Sequence, residues 1–391
     1  MLLNADPIVA HNMYFLPTLT IWSQLLVFCT VVASSSLRTL PLTQRTPALY
    51  QNTSSPILTT EFGTVFDVEV AFANQTFHLL VDTGSSDTYV MKTGYQCINW
   101  TSNNELPREA CLYSNKTYDI SSTYRQIPDQ IFGVQYGDGI ASGVMAYEDI
   151  TLAGVTVKGA TVGIANSSIP MGDGVNSGVL GLGYPALTSA HPGNKTSNTT
   201  YWYNRLVYNP VFNTMYDQGL VEPYYSLTLA RTPQNVSTGF GGYLTLGGLP
   251  PVAHSPNFSA VPVEITGTIP LKFTSGQRVR SYWTLTVSSV TYGPPTPAQG
   301  GQEGLPSTTN STSFQAFVDS GNYFSFLPSS VVEPINSLFS PPATYNPASG
   351  VHTVDCSAQA PTFGLQIGNQ TFFHNGADLI YQQVMAAVSP T

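Results

Sequence analysis

Charge is scarce in this 391-residue chain. Only 9% of its residues are charged, against about 25% in a typical globular protein. Thirteen Lys and Arg residues are outnumbered by 22 Asp and Glu residues, and no basic run occurs of the kind that nucleic acid requires. At low pH the carboxylates are protonated and only the Lys, Arg and His side chains remain charged. Because these cations are few, their mutual repulsion is weak. The composition argues against nucleic-acid binding and is compatible with an acidic medium.

Histidine is also sparse, and its six positions form no metal-ligand spacing such as His-x-x-x-His. They are scattered over residues 11, 78, 191, 254, 352 and 374. We therefore expect no metal site and no cofactor. These histidines are assigned to surface or ordinary packed positions.

The chain has no clean apolar run of bilayer length, since the best one covers only residues 25–33. Residues 13–33 are mostly apolar and lead into Ala33-Ser34-Ser35-Ser36, which predicts a signal peptide over residues 1–36. Met13 is an alternative start, and a retained signal anchor is the alternative interpretation. Residues 37–57 are assigned as a short propeptide.

Four cysteines and eleven Asn-x-Ser/Thr sequons bear on export. Cys29 lies in the predicted signal peptide and would be removed with it. Cys97 and Cys111 lie close together in a polar loop and are assigned as a disulfide of an oxidising compartment. This leaves Cys356 without a partner. The sequons, if used, predict a glycoprotein.

From residue 58 onward the sequence has the pattern of short strands. Residues 64–72 partly alternate apolar with polar positions, and residues 76–81 form an apolar segment that runs directly into Asp82. Helical patterns are confined to residues 211–218 and 329–339. Many short strands broken by Gly, Asn and Pro predict an all-β protein.

One motif occurs twice, at Asp82 and at Asp319. Each acid ends an apolar segment and is followed by Thr or Ser and then Gly, and nowhere else in the chain does this happen. Gly84 and Gly321 let the backbone turn and approach a neighbour closely because they lack a Cβ. A single such motif is more often an ordinary turn. Two copies in a β-rich chain favour a catalytic pair.

The residues that follow each acid could organise such a pair. Thr83 and Ser320 each supply a hydroxyl that can donate to the opposite loop, and Ser85 can bind the Asp82 carboxylate. Two carboxyl groups within a few ångströms cannot both ionise easily, so they share one proton. One can deprotonate a water while the other donates to a carbonyl oxygen, which hydrolyses an amide without a covalent intermediate.

These motifs resemble those of the pepsin-like aspartic proteases, particularly the secreted fungal members. The similar segments are residues 81–86 and 318–321 (the two active-site motifs), 134–139 with Ser142-Gly143 (the flap hairpin), 178–183 (a supporting strand) and 243–248 (an early second-lobe strand). The resemblance extends over about residues 58–391.

The resemblance implies two β lobes related by a pseudo-twofold axis, residues 58–232 and 233–391, with a substrate cleft between them. It makes Asp82 and Asp319 the catalytic residues. The residues that it implies as loop support are Thr83, Gly84, Ser85, Ser320, Gly321 and Asn322. Those that it places on the flap, against an extended peptide, are Tyr136, Gly137 and Asp138.

The sequence departs from the family pattern in four places. Tyr89 replaces a Trp, Asn322 replaces a Thr or Ser, and Tyr323 follows at a normally small position. In addition, only a short segment follows Asp319. The counterpart of residues 179–181 and the usual partner of Cys356 would lie beyond Thr391, so we expect an incomplete second lobe.

The sequence therefore predicts a secreted, extracellular aspartic endopeptidase that cleaves extended peptides at acid pH and acts as a monomer. Membrane association is expected only through the signal or through an unseen C-terminal anchor. Its main rival is a catalytically impaired relative that binds peptides without turnover, which Asn322 and the short second lobe motivate. A glycoside hydrolase also uses paired carboxylates, but that mechanism requires neither the twin motifs nor the flap hairpin.

Overall fold

The structure is a computed structural model. It describes residues 2–4, 53–137, 139–194, 204–233, 236–266, 271, 276–295, 307–347 and 351–381. Most of the predicted signal peptide and propeptide, and Asp138, lie outside these residues. The described chain is mostly strand, with two α-helices, α1 at Val211–Asp217 and α2 at Ser329–Ser337. The all-β prediction is confirmed.

Within the described residues, twenty strands form three sheets. In chain order they are β1 Leu2–Asn4, β2 Ser54–Thr60, β3 Val65–Phe72, β4 Gln75–Asp82, β5 Thr88–Ile98, β6 Glu105–Leu106, β7 Arg125–Gln135, β8 Ile140–Leu152, β9 Val155–Ser168, β10 Gly178–Gly181, β11 Ala190–Pro192, β12 Tyr224–Leu229, β13 Gly239–Leu246, β14 Thr284–Gly293, β15 Thr308–Asn310, β16 Phe314–Phe317, β17 Thr344–Asn346, β18 Val351–Thr353, β19 Thr362–Ile367 and β20 Gln370–Phe373.

The first sheet has thirteen strands in the order β1-β12-β13-β2-β3-β4-β10-β5-β9-β8-β7-β11, with β6 paired to β5. The sequence pattern predicts β3 and β4 most directly, and these two strands form an antiparallel pair. The turn between them begins at Ala73, which has a positive φ of 52°. Alternate residues of β4, from Phe77 to Val81, are buried on one face. This pair delivers Asp82 to the end of a buried strand.

The second sheet has five strands, with β14 bonded to β15, β16 and β19, and β20 bonded to β19. Val287 and Val290 of β14 pack with Val331 and Ile335 of α2 in one buried cluster. The third sheet is the pair β17–β18. Strand β16 of the second sheet ends at Phe317, two positions before Asp319.

One strand of the first sheet contains residues 243–246, for which the resemblance implies an early second-lobe strand. These residues belong to β13, which pairs with β2 and β12. The sheet to which β13 belongs is therefore determined by hydrogen bonds to distant segments. The local sequence pattern does not contain this information. The lobe boundary near residues 232–233 stays a prediction.

The predicted disulfide joins Cys97 to Cys111. Cys356 is a free, exposed thiol. Among the residues that the structure describes, no helix has the length and apolar character needed to cross a bilayer.

Candidate active site

The first acid, Asp82, is buried at the end of β4. β10 lies parallel to β4 with Gly181 opposite Asp82, and the Leu182 N–H donates to the Asp82 carbonyl oxygen at 2.8 Å. The Gly183 N–H donates to the Ser85 carbonyl oxygen at 2.7 Å. The supporting strand expected at residues 178–183 thus fixes both sides of the first loop.

The second acid, Asp319, lies in a loop that leaves β16. The Val318 N–H donates to the Trp283 carbonyl oxygen at 3.1 Å, which ties the start of this loop to the chain before β14. Asp319 itself is only partly buried. Among the described residues, no strand pairs with residues 318–321 as β10 pairs with β4.

The two loops exchange hydrogen bonds across the molecule. The Thr83 hydroxyl donates to the Val318 carbonyl oxygen at 2.8 Å and accepts from the Ser320 N–H at 3.0 Å. In return, the Ser320 hydroxyl donates to the Val81 carbonyl oxygen at 2.6 Å and accepts from the Thr83 N–H at 3.1 Å. Buried hydroxyls with both roles satisfied position their loops firmly. Thr83 and Ser320 thus join the loops with near-twofold symmetry.

Gly84 and Gly321 permit the close approach of the two acids. A Cβ on Gly84 would lie 2.5 Å from Asp319 Oδ1, and a Cβ on Gly321 would lie 2.7 Å from Asp82 Oδ1. Each glycine therefore faces the carboxyl group of the opposite loop, so that a larger residue would force the loops apart. The two carboxyl groups thus meet face to face.

The acids have shifted proton affinities. Burial, followed by the charge of Asp319, raises the pKa of Asp82, while hydrogen bonds from Ser85 and the Gly84 N–H act in the opposite direction. Burial also raises the pKa of Asp319, and its bond from the Gly321 N–H opposes the shift. A buried pair of this kind holds one proton between two carboxyl groups.

The predicted flap is a hairpin of β7 and β8. Gln135 faces Ile140, and the Tyr136 N–H donates to the Gly139 carbonyl oxygen at 2.7 Å. The Tyr136 hydroxyl is buried. Burial, followed by the charges of Asp82 and Asp87, raises the pKa of the Tyr136 phenol well above its ordinary value. Gly137 is exposed at the tip.

The residues that depart from the family pattern differ in their surroundings. Tyr89 is buried, and its ring centroid lies 5.0 Å from that of Phe132. The Asn322 side chain accepts from the Phe324 N–H at 3.2 Å and thus bonds within its own turn. Tyr323 is 50% exposed. Among the described residues, no hydrogen bond joins Asn322 to Asp319.

A cavity of about 800 Å³ lies beside the second loop. Its walls include Phe62 and Thr64 from the turn between β2 and β3, and Asn322, Tyr323 and Cys356 from the later chain. Neither Asp82 nor Asp319 lines it. This cavity is therefore separate from the space between the carboxyl groups.

Sequence reasoning missed one buried acid near the site. Asp87 lies five positions after Asp82 and accepts hydrogen bonds from the Ser189 N–H at 2.8 Å and the Tyr208 hydroxyl at 2.6 Å. The sequence feature that could have indicated this residue is an acid placed directly before β5. Its partners could not be found from the sequence because they lie more than 100 positions away.

Comparisons with known proteins agree with this geometry. The family model described as eukaryotic aspartyl protease matches residues 65–388. The chain is 35% identical over 319 residues to a probable aspartic-type endopeptidase of Aspergillus fumigatus, covering 81% of this chain and 67% of that protein. It is 27% identical over 294 residues to rhizopuspepsin of Rhizopus chinensis, covering 74% of this chain and 59% of that protein.

A solved structure shares the fold. The crystal structure of the aspartic proteinase from Irpex lacteus has a TM-score of 0.56 and 23% sequence identity, covering 82% of this chain and 77% of that chain. The match thus supports the predicted bilobal arrangement of two β lobes. In length, the present chain spans 67% of the Aspergillus protein and 59% of rhizopuspepsin.

Proposed function

Because the chain belongs to the eukaryotic aspartyl protease family, we propose that it is an exported aspartic-type endopeptidase that hydrolyses peptide bonds at acid pH. The observation that carries this proposal is the pair of cross-bonded loops, whose glycines face the opposite carboxyl groups. Such a pair is built to share a proton.

The proposed reaction uses Asp82 and Asp319 as a general acid–base pair. An extended peptide would lie in the cleft with its scissile carbonyl above the two carboxyl groups. One carboxylate takes a proton from a bound water as the water attacks the carbonyl carbon, and the other carboxylic acid donates its proton to the carbonyl oxygen. The first carboxyl group then passes its proton to the amine nitrogen as the C–N bond breaks. A hydroxyl proton of the tetrahedral intermediate returns to the other carboxylate, so that the pair again holds one proton. No covalent intermediate forms.

The flap and the outer loop residues complete this proposal. Tyr136 would close over the peptide and exclude water from the reacting carbonyl. Gly137 and Asp138 would bond the peptide backbone as an added strand. Ser85, whose hydroxyl donates to Asp82, would hold that carboxylate in place.

Export is proposed from the predicted signal peptide, the sequons and the disulfide. The Cys97–Cys111 bond requires an oxidising compartment. We therefore infer an extracellular glycoprotein that acts as a monomer on protein or peptide substrates.

Cleavage of an unfolded protein at about pH 3 to 5 tests the proposal, since a dyad of this kind is singly protonated in that range. We expect the unmodified chain to cleave, and the Asp82→Asn and Asp319→Asn variants each to lose at least about 1,000-fold in kcat/KM. The exposed Asp119 provides the matched control, because Asp119→Asn changes the same chemical group away from the loops.

The outcome separates the two functional hypotheses. Cleavage that persists in both loop variants would contradict the dyad. Saturable peptide binding without cleavage by the unmodified chain would instead favour the peptide-binding alternative.

A further inference from the structure

Asp87 anchors a segment that the proposed reaction does not use. We name the described residues 188–194 and 204–208 the strap. Asp87 is fully buried, and its Oδ1 accepts from both ends of the strap, from the Ser189 N–H and from the Tyr208 hydroxyl. Burial raises the pKa of Asp87, and the hydrogen bonds from Tyr208 and Ser189, followed by the charge of Arg205, oppose this shift.

The strap also binds itself, so that its two ends act together. The Leu206 N–H donates to the Ala190 carbonyl oxygen at 2.8 Å. The Tyr208 N–H donates to the Thr188 hydroxyl at 3.2 Å. The Arg205 guanidinium donates at 3.2 Å to the carbonyl oxygen of Leu187, the residue directly before the strap. An acid that binds one end therefore positions the whole segment.

The opposite side of the strap covers the edge of the flap. β11 pairs antiparallel with residues Gln130–Phe132 of β7. The Gly133 N–H donates to the Ser189 carbonyl oxygen at 3.1 Å, and a His191 ring nitrogen lies 2.9 Å from the Gly133 carbonyl oxygen. Ser189 is therefore shared, since its N–H binds Asp87 while its carbonyl binds the strand that leads to Tyr136.

We propose that Asp87 is a positioning residue, which holds the flap at a fixed distance from Asp82 by way of the strap. This proposal rests on the proposed function. Among the described residues, β7 has only β8 and β11 of the strap as sheet neighbours, and β11 pairs at the base of the hairpin. A two-stranded ribbon is marginally stable alone, so a third strand at its base restricts its motion. The strap would thus increase the fraction of molecules whose flap is ready to accept a peptide.

This role predicts an effect on KM and not on kcat. When a smaller fraction of molecules is competent to bind, the apparent dissociation constant rises by the inverse of that fraction. The bound complex still reacts at the same rate, because Asp82 and Asp319 keep their contacts. A simple loss of folded protein would do the opposite, lowering the maximal rate at constant KM.

Three variants test the proposal. Tyr208→Phe removes one hydroxyl, and we expect KM for an extended peptide to rise about tenfold with kcat within about twofold. Asp87→Ala removes the shared acceptor and should raise KM further. Asp87→Asn keeps the Oδ1 acceptor, so KM should return to within about threefold of the unmodified chain. Tyr216→Phe on the exposed side of α1 is the matched control.

Hydrogen exchange supplies a readout that needs no activity. In Tyr208→Phe, the Gly133 amide and its β7 neighbours should exchange about tenfold faster, whereas amides of β3 and β4 should not change. Unchanged exchange at β7, or a fall in kcat at constant KM, would overturn the positioning role. If the unmodified chain cleaves no substrate, the proposed function fails, while exchange still decides whether Asp87 and the strap hold the flap.

Discussion

Asp82 and Asp319 carry nearly the same motif in unequal surroundings. Asp82 ends β4 with β3 and β10 on either side and is 6% exposed, whereas Asp319 lies in a loop and is partly buried. The Asp82 carboxylate accepts from the Ser85 hydroxyl and the Gly84 N–H. The Asp319 carboxylate accepts from the Gly321 N–H alone among these loop donors.

The difference between the two acids shows which structural properties the short motif determines and which depend on its surroundings. The short motif encodes the turn, the cross-loop hydroxyls and the close approach of the acids. Burial and the outer hydrogen bonds come from neighbouring strands, and these determine the electrostatics of each carboxyl group. We therefore expect equivalent substitutions in the two loops to have unequal effects.

The largest inequality should appear at the glycines. Gly84→Ala places a Cβ against Asp319 in a loop that is fixed by β10, so we expect kcat/KM to fall at least about 100-fold. Gly321→Ala meets Asp82 at a similar distance, but Gly321 is exposed and no described strand pairs with its loop, so we expect a loss of about tenfold. Equal losses, measured on folded variants of matched circular dichroism, would contradict the comparison.

The strand beside β4 should make the first half of the site sensitive to pH. Burial, with the nearby Asp173 and Glu61, raises the pKa of Asp67 on β3 to about 9. Below the pKa of the unfolded chain both states hold this proton. As the pH rises from about 4 to about 9 only the folded state holds it, so stability falls.

Asp67→Asn should remove this dependence. We expect the fall in unfolding free energy between pH 4 and pH 8 to shrink by several kcal/mol, on the order set by a shift of a few pKa units. Urea titrations at pH 4, 6 and 8 measure it, with Asp119→Asn as the control. An unchanged slope would show that Asp67 ionises without cost.

We expect a smaller effect, on the pH profile of kcat/KM, when the side chain of Ser85, but not that of Asn322, is removed. The Ser85 hydroxyl stabilises the ionised form of Asp82, so Ser85→Ala should raise the pKa of that carboxyl group further. The acidic limb of the kcat/KM profile should then move to higher pH by about half a unit to one unit. Asn322→Ala should leave the profile in place, because Asn322 bonds only the Phe324 N–H among the described residues.

The smallest expected effect is a gain in the second loop. Asn322→Thr supplies a hydroxyl at the position where the family usually has one. A new donor to Asp319 would stabilise its ionised form and move the acidic limb to lower pH by about half a unit. Activity should change by less than about threefold. A shift to higher pH would argue that the hydroxyl does not reach Asp319.

The sequence predicts this site well where the information is local. The twin motifs imply the hydroxyl exchange of Thr83 and Ser320, because a Thr or Ser directly after each acid can reach only a loop that lies beside it. Tyr136 follows from a hairpin pattern, and Cys97–Cys111 from spacing and compartment. These features depend on a few neighbouring residues.

Features set by distant partners could not be predicted. β13 joins the first sheet through hydrogen bonds to β2, which lies almost 200 positions away. Asp87 is anchored by Ser189 and Tyr208, and nothing in their local sequence indicates this contact. The high pKa of Asp67 requires knowing that its strand is covered by the turn at Asp173. Each case depends on tertiary burial, which a single sequence does not express.

The crossed bonds of Thr83 and Ser320 have a consequence for biosynthesis. The two loops are 237 positions apart, so the first leaves the ribosome long before the second exists. Until then the Val81 carbonyl oxygen and the Thr83 hydroxyl lack their cross-loop partner Ser320, and Asp82 has no second carboxyl group with which to share a proton. A nascent chain that has not yet reached residue 319 therefore lacks the paired acids on which the proposed reaction depends. Proteolytic capacity would arise only when the last third of the protein has folded against the first.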